Sequence, residues 1–190
     1  MALITKIKKF IFLISKKKYG SIGKKTYIIS PIGIVGKKRI FLGNNVVINE
    51  FSRIEAISKW NSLNYNSKII VGDNTSFSQF LHITTASSIN IGSNCCFASR
   101  CMITTIDHLY DEINVKVTSQ NITTNDVIIG NYCYFGMDVK IFPGVVIGDN
   151  VIVGANSIVL HDLPSYTVCV GIPAKPIKKY NFDSGKWEKI

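Results

Sequence analysis

Large apolar side chains recur along most of this chain at intervals of six. They run Leu42, Ile48, Ile54; then Val71, Phe77, Ile83; then Ile91, Phe97, Ile103; then Ile129, Phe135, Ile141, Ile147, Val153, Val159. The next position is often glycine, as at Gly43, Gly72, Gly92, Gly130, Gly136, Gly148 and Gly154. Four residues after the large one a smaller residue is common, as at Val46, Thr75, Cys95, Cys101, Cys133 and Ser157. A period of six fits neither an α-helix nor a simple alternating strand. It predicts an all-β coil with flat strand-like sides and tight corners, a parallel β-helix. The large residue points inward from each side and the smaller one fills the corner. Coils stacked at a strand spacing of about 4.8 Å bury every inward row, and each buried Val, Ile or Phe contributes roughly 1.5–3 kcal/mol. The glycines are expected at the corners, where positive φ and close backbone approach carry no penalty. Asparagine beside them, as at Asn44, Asn74, Asn94 and Asn131, tolerates the same region.

Breaks in the period locate excursions. After Ile103 the next wall is due at residue 109 but begins at Ile129, so a loop over 109–128 leaves the coil, and His108 stands at its mouth. Excursions from a rigid scaffold are where binding chemistry concentrates. The expected organisation is a basic N-terminal segment over 1–25, the β-helix over 26–163, and a short C-terminal extension over 164–190.

Charge changes the picture only locally. The chain carries a formal +10, but eleven of its 22 basic residues fall in 1–39, which holds no acid. The remainder has eleven basic and twelve acidic groups, a net of −1, which argues against a nucleic-acid surface. Within the basic stretch, Leu3, Ile4, Ile7, Phe10, Ile11 and Ile14 follow helical spacing, with Lys6, Lys8, Lys9 and Lys16 mostly opposite. Its uninterrupted apolar run is too short for a membrane span or a secretory signal. Two compatible readings stand: a helix capping the open end of the coil, or residues 1–18 lying on an anionic membrane surface. Of five cysteines, Cys95, Cys101 and Cys133 fall in the small inward slot, where a thiol acts as an apolar filler. No C-x-x-C spacing occurs, and an odd count with no secretory signal fits a reducing cytoplasm, with any membrane contact at the inner surface.

The segment from Ile129 to Lys179 resembles the C-terminal half of the hexapeptide-repeat acyltransferases, specifically the bacterial sugar O-acetyltransferases that decorate surface polysaccharides. Ile129–Gly136 looks like the family's I-G-x-x-x-W-I-G. Pro143–Gly144 with the following Val-Val-Ile-Gly and Val-Gly-Ala resembles P-G-V-x-I-G and V-I-G-A-G, and Gly171–Lys179 resembles G-x-P-A-K-x-I-x-K/R. Upstream, Thr104–Gln120 is similar to a T-x-x-H-x-x-x-D loop segment. The resemblance spans about residues 40–180.

It implies a left-handed β-helix, a hand that spacing alone cannot supply, and a homotrimer with acetyl-CoA in the cleft between subunits. The implied reaction is O-acetylation of a sugar hydroxyl in a surface glycan or its precursor. His108 matches the family's catalytic base, with Asp107 or Asp111 to fix its tautomer. Tyr134 stands where the family has tryptophan. The coenzyme is expected along Tyr134, Gly136, Gly154 and Ala155, with Lys175, Lys178 and Lys179 for its phosphates; Ile172 replaces the family's Asn after Gly171. His82, Tyr110 and Gln120 are the candidates for acceptor contact. Alternatives are N-acetylation of an amino sugar, O-acetylation of a small antibiotic, or a non-catalytic trimeric scaffold. The γ-carbonic anhydrases share the fold and hold zinc with a histidine pair five residues apart; spacings here are 26 and 53, so no metal is expected.

Overall fold

The six-residue period closes into a three-walled coil. The computed structural model describes residues 15–190, so the apolar N-terminal stretch through residue 14 lies outside the described residues. The first wall stacks Ser21–Ile22, Ile40–Leu42, Lys68–Val71, Ser88–Ile91, Val127–Ile129 and Val146–Ile147, all parallel. The second stacks Tyr27–Ile28, Val47–Ile48, Ser76–Phe77, Cys96–Phe97, Tyr134–Phe135, Ile152–Val153 and Thr167–Gly171. The third runs Gly33–Val35, Arg53–Ala56, His82–Thr85, Met102–Thr104, Lys140–Ile141 and Ile158–Val159. Each large residue pairs with the large residue of the next coil, as in Leu42 with Val71, Val71 with Ile91 and Ile91 with Ile129. All fifteen positions of the six-residue row are buried. Phe77, Phe97 and Phe135 stack in one column, with ring centroids 4.6 and 4.4 Å apart.

The corners differ from expectation in one respect. Positive φ falls three residues after the large one: at Asn45, Asn74, Asn94, Tyr132 and Asn150 on one corner, and at Phe51, Phe80, Arg100, Asp138 and Asn156 on the next. The glycines that directly follow the large residues do not have it; among the described glycines only Gly36, Gly144, Gly171 and Gly185 do. Their reason is the second one, close approach. A Cβ on Gly72 would lie 2.5 Å from Ser93 Oγ, and one on Gly92 would lie 2.5 Å from the Gly130 carbonyl oxygen. Beside these glycines runs a side-chain ladder. Asp73 Oδ1 accepts from the Asn44 N–H at 2.7 Å, Asn131 Oδ1 from the Ser93 N–H at 2.9 Å, and Asp149 Oδ1 from the Asn131 N–H at 2.6 Å. The Asn44 backbone and side-chain donors hold the Asp73 carboxyl below its ordinary value.

Wall strands extend beyond the expected bounds of the coil at both ends. Ser21–Ile22 already pairs with Phe41–Leu42, and Thr167–Gly171 continues the second wall on Ile152–Val153. The C-terminal residues then add antiparallel strands Ala174–Asn181 and Lys186–Lys189 to that wall, with Tyr166, Tyr180, Phe182 and Trp187 in edge-on ring contacts.

Two excursions leave the corner between the third and first walls. The expected one departs earlier than residue 109: Ile106–His108 and Ile122–Thr124 form an antiparallel hairpin, and Val127–Ile129 is back on the wall. Buried hydroxyls anchor its base, Thr85 to Thr105 at 2.8 Å and Thr105 to Thr124 at 3.0 Å. The other, between Ala56 and Lys68, carries the hairpin Lys59–Trp60 and Leu63–Asn64.

The thiols behave as core. Cys95, Cys101, Cys133 and Cys169 are buried and free, and burial pushes the Cys101 thiol up to about 12. Native protein treated with iodoacetamide is therefore expected to react at the half-exposed Cys96, the other four becoming labelled only in denaturant; peptide mass spectrometry reads this. Alanine at Gly92 overpacks the joint between coils and should destabilise by about 1–3 kcal/mol, against about 3–5 kcal/mol for the cavity left by Phe97→Ala. Urea unfolding measures both, and a native midpoint for Gly92→Ala would show that the coils separate freely.

Candidate active site

A cavity of about 430 Å³ lies on the outer face of the third wall, roofed by the two hairpins. Its wall side is Glu55, His82, Thr84, Met102 and Thr104, which register places on three consecutive rungs: Thr84 pairs with both Glu55 and Thr104, and His82 with Met102. The hairpins supply Trp60, Ile106 and His108, and Ile57 and Phe142 complete the lining. The hairpin that carries His108 thus places that imidazole over the third wall.

His108 is half-buried. Its Nδ1 is buried with no hydrogen-bond partner among the described residues, while Nε2, also without a partner among them, is not fully buried. The Trp60 ring meets the imidazole edge-on, with centroids 5.2 Å apart. Trp60 Nε1 donates to the Gln120 carbonyl at 3.0 Å, and Asn61 Nδ2 donates to the carbonyls of Ser119 at 3.1 Å and Gln120 at 2.9 Å. Tyr65 Oη donates to the Ile122 carbonyl at 3.3 Å. The 59–64 hairpin therefore clamps the far end of the His108 loop.

Neither aspartate expected to orient His108 reaches it. Asp107 precedes it in the same strand, so its side chain points to the opposite face, and it is exposed. Asp111 is exposed in the loop, and no carboxylate meets Nδ1. Of the acceptor candidates, His82 joins His108 on the cavity. Tyr110 is 72% exposed and lies off the lining. Gln120 is buried and spans its own loop: Nε2 donates to the carbonyls of Glu112 at 3.0 Å and Val115 at 2.9 Å, and Oε1 accepts from the Glu112 N–H at 3.2 Å. It is a loop brace, not a lining residue.

The polar side of the cavity is a linked row. His82 Nε2 lies 2.8 Å from Thr84 Oγ1, which in turn reaches Glu55 Oε2 at 3.5 Å. Glu55 pairs with Arg53 at 2.9 Å. Burial, then the Arg53 cation, hold the His82 imidazole below its ordinary value, with Glu55 pulling the other way. That shift favours the neutral imidazole. With Nε2–H donated to Thr84, and the Thr84 hydroxyl directed to Glu55, Nδ1 is left as an acceptor.

Glu55, Trp60 and Thr84 were not among the residues expected from sequence. A signal for Trp60 was available: seventeen residues separate Ile54 from Val71, eleven more than the period requires.

The residues expected to hold the coenzyme lie elsewhere, on the outward face of the second wall. Register aligns Tyr134, Ile152, Val168 and Lys178 in one column. Hydrogen bonds and strand register align Gly136, Gly154, Val170 and Lys175 in the adjacent one. Ala155 follows Gly154 and its backbone N would lie 2.5 Å from a Cβ on Gly136. Lys179 is exposed opposite Thr167. Among the described residues there is no cluster of His, Cys, Asp and Glu suited to a metal, and no helix long and apolar enough to cross a membrane.

Residues 126–161 match the family described as bacterial transferase hexapeptide (six repeats). A putative lipopolysaccharide biosynthesis O-acetyl transferase of Escherichia coli K12 is 37% identical over 128 residues, covering 64% of this chain and 65% of that protein. The chain thus spans just under two thirds of that relative's length. A putative colanic acid biosynthesis acetyltransferase of the same organism is 31% identical over 140 residues, covering 73% of this chain and 68% of that protein. The structure superposes with a TM-score of 0.75 on AntD, an N-acyltransferase of Bacillus cereus solved with dTDP and 3-hydroxybutyryl-CoA, at 23% identity and covering 90% of this chain and 89% of that one. The chain belongs to the hexapeptide-repeat transferases, and its three-walled coil is the left-handed parallel β-helix of that family.

Proposed function

We propose that this chain transfers acetyl from acetyl-CoA to a sugar hydroxyl of a bacterial surface polysaccharide or its precursor, with His108 as general base. The observation that carries the reading is the His108 imidazole at the rim of the cavity, with Nε2 open and Trp60 fixing its plane. The chemistry closes without a metal. Nε2 takes the proton of the acceptor hydroxyl as its oxygen attacks the thioester carbonyl. The tetrahedral adduct then expels the coenzyme sulfur, which leaves as a thiol on receiving the imidazolium proton. Imidazole suits both steps because it takes a proton as base in the first and returns it as imidazolium in the second. The relatives named for lipopolysaccharide and colanic acid biosynthesis support the sugar acceptor.

The coenzyme is assigned to the two columns on the second wall. Small residues at Gly136, Gly154 and Ala155 let an extended pantetheine arm approach the backbone, and Lys175 and Lys178 continue those columns toward its phosphates. AntD, solved with an acyl-CoA, supports this by its shared fold.

These columns and the His108 cavity lie on different walls of one coil. A neighbouring chain that laid its second wall against this third wall would bring thioester and base together, and three-fold closure of that contact gives a homotrimer. The lysine-rich residues 1–18 remain the candidate membrane contact, on sequence grounds.

Two outcomes test the assignment. His108→Ala should lower turnover with a sugar acceptor by about 10²–10⁴, with the oligomer intact by sedimentation; unchanged turnover would remove His108 from the mechanism. Lys175→Ala with Lys178→Ala should raise the KM for acetyl-CoA by about tenfold, a loss of about 1.4 kcal/mol, with kcat for acceptor little altered. An unchanged KM would place the phosphates elsewhere.

A further inference from the structure

We infer that the cavity selects an uncharged sugar ring and rejects acidic ones, and that Glu55 is the residue that makes the distinction. The inference rests on the acetyl-transfer reading above and names the acceptor class for that site. Hydrogen-bonding groups on its wall side are mainly acceptors. Glu55 offers a carboxylate, and neutral His82 offers Nδ1 once Nε2–H is committed to Thr84. The Thr104 hydroxyl donates to the Ile106 carbonyl at 3.5 Å and accepts from the Ile106 N–H at 3.1 Å, so its proton is directed to its own chain. A ligand must therefore donate, as the hydroxyls of a sugar ring do.

A carboxylate, sulfate or phosphate would face the opposite situation. The lining contains no lysine or arginine. Arg53 pairs with Glu55 at 2.9 Å and lies off the lining, and Lys140, on the rung beyond Met102, donates to the Asp138 carbonyl at 3.4 Å. An anion entering the cavity meets the Glu55 carboxylate in a partly dry space, where like charges placed together cost most. The rest of the lining, Ile57, Trp60, Met102, Ile106 and Phe142, is apolar and suits the C–H face of a pyranose. A volume of about 430 Å³ falls in the range of small-ligand sites.

Direct binding tests this separately from turnover. The chain has two tryptophans, so Trp187→Phe leaves Trp60 on the cavity as the single reporter. Methyl glycosides of glucose, galactose and mannose are titrated against Trp60 fluorescence, alongside the matching uronic acid glycosides. At least one neutral glycoside is expected to saturate, with its uronic acid partner binding about tenfold or more weakly, a difference of about 1.4 kcal/mol. Glu55→Gln removes the carboxylate and frees Arg53, so the difference should shrink to about threefold or less. Equal binding of the two classes, binding by neither, or an undiminished preference in Glu55→Gln would each overturn the inference. Those results leave acetyl-CoA turnover and its dependence on His108 untouched, so failure here is distinct from failure of the acetyl-transfer reading.

Discussion

The spacing between successive coils is the constraint on which the rest of this structure depends. At Gly72 and Gly92 the backbone of one coil comes so near the next that a single Cβ would sit 2.5 Å from it. Such contact leaves no freedom to slip by a residue, because slippage would also turn every inward residue outward. The Asn and Asp ladder beside the glycines adds the same restriction by hydrogen bonding each corner to the one below. Once that joint is set, the phenylalanine column can stack at 4.4–4.6 Å, and the outward residues fall into straight columns.

Straight columns turn distant sequence positions into neighbours. Glu55, Thr84 and Thr104 come together only because their coils stack in register. Precision on the wall is then passed to the irregular parts. The His108 hairpin is rooted in the Thr85–Thr105–Thr124 hydroxyl row, and its far end is held by Trp60, Asn61 and Tyr65. An imidazole on a long loop would otherwise sample many positions, and a base misplaced by an ångström loses much of its advantage. The buried Nδ1 has no hydrogen-bond partner among the described residues, and such groups concentrate where function uses them.

The sequence displayed the inward rows plainly, since a fixed period and a buried side chain have one cause. It displayed the site less well. Glycine after a large residue admits two explanations, conformation and proximity, and only coordinates separate them: φ at Asn74 and Asn94 is positive and φ at Gly72 and Gly92 is not. Asp107 beside His108 looks like a partner on paper, but alternation along a strand turns it away. Gln120 is polar, near the motif, and consumed by its own loop. Trp60 lies forty-eight residues from His108, and no local pattern could connect them. Only the interval between Ile54 and Val71 announced that a second excursion existed.

The placement of the two candidate binding regions has a mechanistic consequence. The columns proposed for the coenzyme on the second wall present backbone and lysines. The third-wall cavity presents Glu55, His82 and Trp60, the groups proposed to face the acceptor. Because the coil keeps these on separate faces, acceptor preference can change through Glu55, Trp60 and the two excursions without disturbing the coenzyme columns or the core beneath them. Corner insertions cost little, since closure entropy rises only slowly with loop length, whereas an insertion within a wall would break every rung above it. A fold of this kind therefore confines its variability to the corners, and the corner between the third and first walls is where this chain carries His108, the proposed base.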